Sequence, residues 1–459
     1  MALEILKEQV EAILESGDGK QLHEFLDDQN ISDVADLIDE MPEYDSRIIG
    51  AMSVHRAASV FKILDLNAQK DIIKTLPPIK TAGLLNELPP DDRTDFLEEL
   101  PSNAVRELIK LLDNEERKIT LSLLGYPENS VGRLMTPDYV YVYENNTVQQ
   151  VLDTVRRVGK NSETIDVIYV INEKGELLDD IRIREFILAS PEMKVRELMD
   201  DRVISLNAYQ DQEEAAEVFK MNNRVALPVV SNSNKLLGIV TIDDILWVAS
   251  EEFSEDMQKI GGTQALEEPY LETPLFSLFR KRVGWLVVLF LGELLTASAM
   301  KYFEAEIGRA LVLVLFIPLI ISSGGNSGSQ ASTLIIQAMA VGEITIKDWW
   351  RVLRREILSG LLLGSVLGII GFLRIFVWHS ISPQLYGIHW IPIGITVGVT
   401  LLGVVLWGTL CGSMLPMLLK KLGADPAVSS APFVATLVDV TGLIIYFTVA
   451  LIILTGTLL

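Results

Sequence analysis

The chain has 459 residues, 49% of them hydrophobic, and a formal net charge of −23, a length that calls for several domains rather than one hydrophobic core. Residues 1–279 carry 54 acidic and 27 basic side chains and residues 280–459 carry 8 and 12, so a strongly acidic soluble part precedes an apolar part close to neutrality. Such an acidic surface repels nucleic acid, and a lone cysteine, Cys411, excludes an intrachain disulfide framework or a cysteine-rich zinc site.

The opening MALEILKEQVEAILE is charged and amphipathic, unlike a cleavable signal peptide, which predicts an N-terminus in the cytosol. Met52, Leu64, Leu76, Leu88, Leu100, Leu112 and Leu124 then recur at a fixed spacing, each of the first six followed by Ser53, Asp65, Pro77, Pro89, Pro101 or Asp113. Ser and Asp cap helix starts by accepting from a free backbone N–H, and Pro loses no hydrogen bond in the first turn. One short helix plus a turn cannot bury its own apolar side, so the repeat predicts an all-α solenoid over residues 1–128.

From Gly132 the pattern changes to two copies of a β-rich unit. GRLMTPDYVYVYENNTVQQVLDTVRR aligns with RELMDDRVISLNAYQDQEEAAEVFKM, and each passes into paired strands joined by a turn, NEKG in one copy and NSNK in the other. The pair resembles tandem CBS domains, over residues 129–192 and 193–252, an α/β module that usually pairs again in a dimer. In that family Gly238, Thr241 and Asp244 match positions that hold an adenosine ribose, while the first copy departs, with Asp179, Arg182 and Glu185 in their place. Arg184 and Glu185 with Thr241 and Asp244 are the candidate contacts for ATP or another adenine nucleotide.

Residues 253–279 read as an acidic connecting helix. Glu251 and Glu255, and Glu252 and Asp256, are like charges at i, i+4, which oppose a helix unless neutralised. Five apolar runs follow, roughly 283–302, 309–341, 356–378, 390–419 and 430–459, each long enough to cross a bilayer. Basic residues cluster at Arg280–Arg282, between the second and third runs, and at Lys420 and Lys421, which predicts a C-terminus outside the cell membrane. Arg374, near the outer end of the third run, reads as snorkelling to the interface.

The second run contains FIPLIISSGGNSGSQAS, whose Pro318 and glycines predict a broken helix lining protein or a water-filled path. In the last run Asp439 is the only charged residue from Ala431 onward, with Ala435, Thr436 and Gly442 around it on a helix. An ionisable group at that depth marks an ion path, because burying it otherwise costs a few kcal/mol or more. Together with TLIIQAMAVGEI and DPAVSSAPFVATLVDVTGLIIYF, these segments resemble the MgtE family of magnesium transporters and channels.

The resemblance implies a multi-domain membrane protein: helical N domain, CBS pair, connecting (plug) helix and a five-helix transmembrane domain from residue 280. It further implies a homodimer with a pore along its twofold axis, where Asp439 holds a hydrated cation, Ala435 lies one turn away, and Thr436, Gly325, Asn326 and Gly328 complete the lining. A cytosolic Mg2+ sensor is implied at Asp211, Glu213, Asp244, Glu252, Glu255, Asp256 and Asp425, with Asp91 and Asp95 on the N domain. Trp247 and Asn223 stand where further acids belong in that pattern, which predicts fewer sensing ligands. The expected activity is passive import of Mg2+ across the cell membrane, with no enzymatic reaction. The alternatives are a CBS-regulated carrier of Co2+, Ni2+ or Mn2+, a CBS-bearing anion channel and a nucleotide-sensing membrane regulator. No Walker loop, zinc spacing or Ser/His/Asp set supports an enzyme.

Overall fold

Helices begin at Val54, Leu66, Pro78, Pro90, Ser102 and Asn114, which reproduces the leucine spacing of the sequence. Met52, Leu64, Leu76, Leu88 and Leu112 enter one shared core, so each repeat buries its apolar side against its neighbours. Asp65 caps its helix as expected, accepting from the Asn67 and Ala68 amides at 2.8 and 2.9 Å. Ser53 and Asp113 make no such bond; both helix starts are exposed, where water satisfies the free N–H groups. The computed structural model describes residues 2–266, 270–271 and 273–458, which fall into two units, Met1–Ser250 and Glu251–Leu459.

The first unit also holds the internal repeat. Strands Tyr141–Tyr143, Val167–Ile171 and Leu177–Arg182 form one sheet and Leu206–Asn207, Ala226–Val230 and Leu236–Thr241 a second, each with a parallel then an antiparallel pairing. Val167, Tyr169, Ile171 and Leu177 pack with Val230, Leu236 and Ile239, so the two sheets close over a common core. The hairpin turns match as well: the left-handed position is Gly175 (φ 78°) in one copy and Asn234 (φ 59°) in the other, the two residue types that adopt it most readily.

Helix Ile242–Ile260 follows the last strand and carries the acidic connecting sequence. It ends at Gly261 and Gly262, the latter at φ 77°, a left-handed stop that terminates helices. Of the rest of the connecting segment, residues 267–269 and 272 lie outside the described residues, and helix resumes at Leu275.

Among the described residues five helical segments are long and apolar enough to cross a membrane: Leu275–Tyr302, Leu311–Ala340, Ile346–Ile381, Gly387–Lys421 and Ala431–Leu454. The expected break in the second span is absent. Ile317–Ala340 is one continuous α-helix, Pro318 sits in its first turn, and the only irregularity is the 3-10 turn Leu311–Phe316 before it. Proline breaks helices only in the interior. The glycines serve helix packing instead: a Cβ on Gly412 would collide with the Gly328 carbonyl oxygen, one on Gly324 with Val404, and one on Gly408 would lie 2.5 Å from the Gly324 carbonyl oxygen. Each glycine costs up to about 1 kcal/mol of helix propensity, and backbone approach this close between spans offsets it.

Arg374 does not simply reach for the interface. Its guanidinium lies 5.8 Å from the centroid of the Phe316 ring, a cation–π geometry that holds it against the protein. A paired substitution tests the role assigned to the glycines. Gly412→Ala forces backbone against backbone and is expected to lower the thermal midpoint by several degrees, following an overpacking cost of about 1–3 kcal/mol. Gly284→Ala, with nothing within 4 Å of the added methyl, is expected to leave it unchanged or slightly raised. Thermal unfolding in detergent followed by size-exclusion chromatography separates the two outcomes.

Candidate functional site

Two places in the molecule concentrate chemistry, one in each unit. In the second unit, Asp439 and Ala435 lie one turn apart on the fifth span, and both face Gly325 of the second. The position of a Cβ on Gly325 lies 3.3 Å from Asp439 Oδ1 and 3.4 Å from Ala435 Cβ. Gly325 therefore leaves open the space beside the carboxylate. Asp439 is half-buried, and among the described residues no hydrogen bond or ion pair engages it. A carboxylate held beside small side chains with no protein cation is suited to receive one from outside.

The other expected lining residues divide. Asn326 is exposed one position on from Gly325, and its amide donates weakly to Ser322 Oγ at 3.4 Å. Gly328 is buried between Val434 and the Gly408 carbonyl, which makes it a helix-crossing residue rather than a neighbour of Asp439. Thr436 turns to the first span, with its methyl 2.9 Å from the Cβ position of Gly292 and its hydroxyl donating to Pro432 O. Beside Gly292, Glu293 is the charged group whose field reaches Asp439. Glu293 carries the same sequence signal as Asp439, a charge inside an apolar run.

In the first unit, acids gather where the helical repeat meets the second CBS copy. Asp91, in the first turn of helix Pro90–Glu98, is buried, and its Oδ1 has no hydrogen-bond partner. Burial first, then the charge of Asp244 and those of Asp92 and Glu163, push its carboxyl well above the usual range. Asp244 is itself raised to about 6, again by burial first, although its Oδ2 accepts from the Thr241 hydroxyl at 2.6 Å. Lys62 donates to Asp92 at 3.4 Å and is the one cation among the groups that shift these acids apart from any on residues outside the description. Sequence reasoning chose Asp91 and Asp244 but missed Asp92, Glu163, Asp243 and Lys62, which no spacing rule connects across the fold.

The remaining expected ligands are scattered. Asp95 is exposed, one turn after Asp91. Asp211 caps helix Gln212–Asn222 by accepting from the Glu213 amide at 2.9 Å, so that its carboxylate has a structural task, and Glu213 is exposed beside it. Glu252, Glu255 and Asp256 lie half-buried along the connecting helix, and Asp425 accepts from Lys259 Nζ at 2.7 Å. Among the described residues Arg184 pairs with its neighbour Glu185, at 3.5 Å, and no hydrogen bond or ion pair joins them to Thr241 or Asp244. Among the described residues no three His, Cys, Asp or Glu side chains are set to hold a metal ion. Mg2+ keeps several waters and is commonly held through one or two carboxylates. Asp91 is buried with an unpartnered oxygen, and the charge of Asp244 reaches it.

Family comparisons agree with this architecture. The profile of a family described as divalent cation transporter, MgtE, matches residues 317–449, that of the MgtE intracellular N domain matches 29–129, and CBS domains match 131–192 and 195–251. The magnesium transporter MgtE of Thermus thermophilus is 40% identical over 345 residues, covering 75% of this chain and 74% of that protein. The chain belongs to the MgtE family. The magnesium transporter MgtE of Bacillus subtilis is 29% identical over 95% of each chain. Among solved structures, the cytosolic domain of the Mg2+ channel MgtE in complex with ATP is 36% identical, covers 53% of this chain and 99% of its own, and superposes with a TM-score of 0.51. This MgtE-family chain thus shares the soluble fold as well as the membrane segments.

The acids of the first unit carry a pH signature. A carboxyl whose pKa is raised in the folded state contributes stability that is complete below its unfolded value of about 3.9 and is lost as pH rises through the folded value, here about 6 for Asp244. Without divalent cations, the contact at helix Pro90–Glu98 is therefore expected to loosen between pH 5 and 7.5. Hydrogen exchange of that helix, corrected for intrinsic rate, should speed up several-fold over the range, and Asp91→Asn should flatten the dependence. Protection unchanged across the range would contradict the assignment.

Proposed function

We propose that this chain is a Mg2+-selective channel that lets magnesium enter down its electrochemical gradient, and that cytosolic Mg2+ closes it. The observation that carries the reading is Asp439, a carboxylate on a membrane helix with Gly325 and Ala435 beside it and no protein cation engaged. The relatives named magnesium transporters support the choice of ion. Two charges moving inward gain about 4.6 kcal/mol per 100 mV, so no hydrolysis step is required, in keeping with relatives that are transporters. A homodimer, with its pore on the twofold axis, doubles the carboxylates available to one hydrated ion. The basic segments near Arg280, Arg351 and Lys420 support a cytosolic N-terminus and an outer C-terminus in the cell membrane.

Closure is assigned to the acids. Mg2+ at Asp91 and Asp244, and along Glu252, Glu255 and Asp256, favours the compact arrangement because a divalent cation offsets the repulsion that the neighbouring lysines leave among the ionised acids. Adenine nucleotide at the CBS pair is a further part of the reading, supported by the ATP complex of the similar cytosolic domain; Thr241 and Asp244 are the residues assigned to it, with Arg184 and Glu185 on the other copy.

Asp439→Asn is the direct test. The amide keeps the shape but removes the charge, so Mg2+ flux into liposomes containing the purified variant is expected to fall at least tenfold while the protein elutes as wild type. Flux near wild type in a correctly assembled variant would overturn the pore assignment.

A further inference from the structure

The acids proposed to sense Mg2+ on the connecting helix do not wait for a metal to link them to the membrane part. The ammonium of Lys259 donates to Asp425 Oδ2 at 2.7 Å and pairs with Glu255 one turn earlier. Both acids hold the Lys259 ammonium above its ordinary range against the opposing effect of burial. Asp425 is fixed in turn, because its other oxygen accepts from the Ala427 amide at 2.8 Å and caps the turn Pro426–Val428 at the base of the fifth span.

Apolar contacts make the same connection. Ile260 is buried with Ile336 of the second span and Ala427. Just beyond, the Cβ position of Gly262 lies 2.8 Å from the Trp285 ring, and Trp285 Nε1 donates to Ser430 Oγ at 3.1 Å. The end of the connecting helix is therefore seated on the inner ends of the two spans that meet at Asp439.

We propose that Lys259 is a tethered bridging cation, which links Glu255 of the connecting helix to Asp425 at the base of the fifth span without any metal. Mg2+ acting at this seat then has a different task from linking those two acids. It neutralises charge centred on Asp256, on which Asp425, Glu252 and Glu255 act as like charges and Lys259 as an opposite one. Part of the closing contact is in this way independent of the ion, and Mg2+ adjusts its strength. The inference rests on the reading that the connecting helix gates the pore, but its primary test does not.

The test uses the full-length protein in nanodiscs, with Lys259→Gln and Lys259→Arg, and reads hydrogen exchange over residues 254–262 in EDTA and in millimolar Mg2+. Wild type is expected to stay protected in EDTA. Lys259→Gln should exchange at least tenfold faster there and recover in Mg2+, because the freed acids now take the divalent ion, while Lys259→Arg should keep most of the protection. Equal exchange of wild type and Lys259→Gln in EDTA would overturn the proposal. Open probability against internal Mg2+ is measured in parallel. A segment loosened by Lys259→Gln with an unchanged closing curve would overturn the gating reading beneath the proposal and leave the bridge itself standing.

Discussion

Asp439 sets the constraint to which the rest of the membrane part answers. An ionised carboxylate in a helix that crosses hydrocarbon costs several kcal/mol unless water, a cation or protein dipoles surround it. Here the side chain looks onto Gly325, where the missing Cβ leaves space. That space requires the second and fifth spans to be held at a fixed separation with a small residue at one height, which simple hydrophobic burial does not specify. The closest backbone contacts of the second span, from Gly324 and Gly328 to Gly408 and Gly412 of the fourth, supply the rigidity. The glycines that seemed to loosen the second span are what fix its position.

The soluble unit answers a different constraint, that of gathering like charges. The carboxyl pKa values of Asp91, Asp92, Glu163 and Asp244 are raised first by burial and then by neighbouring like charges, which include the charge of Asp243. Lys62 at Asp92 offsets part of this charge, whereas Arg93 is fully matched, its buried guanidinium pairing with Glu116 at 2.5 Å. The contrast between a satisfied Arg93 and an unpartnered Asp91 two residues earlier argues that the second is kept for a ligand.

Much of this was legible in the chain itself. The leucine spacing gave helix starts from Val54 to Asn114, the duplicated β-rich segments gave two matching sheets, and the apolar runs gave five membrane helices. Local rules suffice there, because each repeat or span is decided within its own few turns. Where sequence reasoning failed, the deciding contact was long-range. Pro318 and the glycines look like breakers until Val404, Gly408 and Gly412 are seen against them. Thr436 looks equivalent to Ala435 until Gly292 is found on its side. Asp425 has a partner that no spacing rule connects to it, Lys259, 166 positions away in sequence.

The dispersal of the acids bears on how a sensor of millimolar ion would work. Moving a two-state equilibrium from 1:99 to 99:1 takes about 5.5 kcal/mol of differential binding. One cage that supplied all of it would bind too tightly to follow an ion present at high concentration. Several weak sites, each holding hydrated Mg2+ through one or two carboxylates, reach the same total in small steps and respond over a narrow range because they act on one arrangement. On the reading proposed above, a lysine that supplies a fixed part of the neutralisation at Glu255 and Asp425 would lower what the ions must add, and so would set the concentration at which they tip the balance.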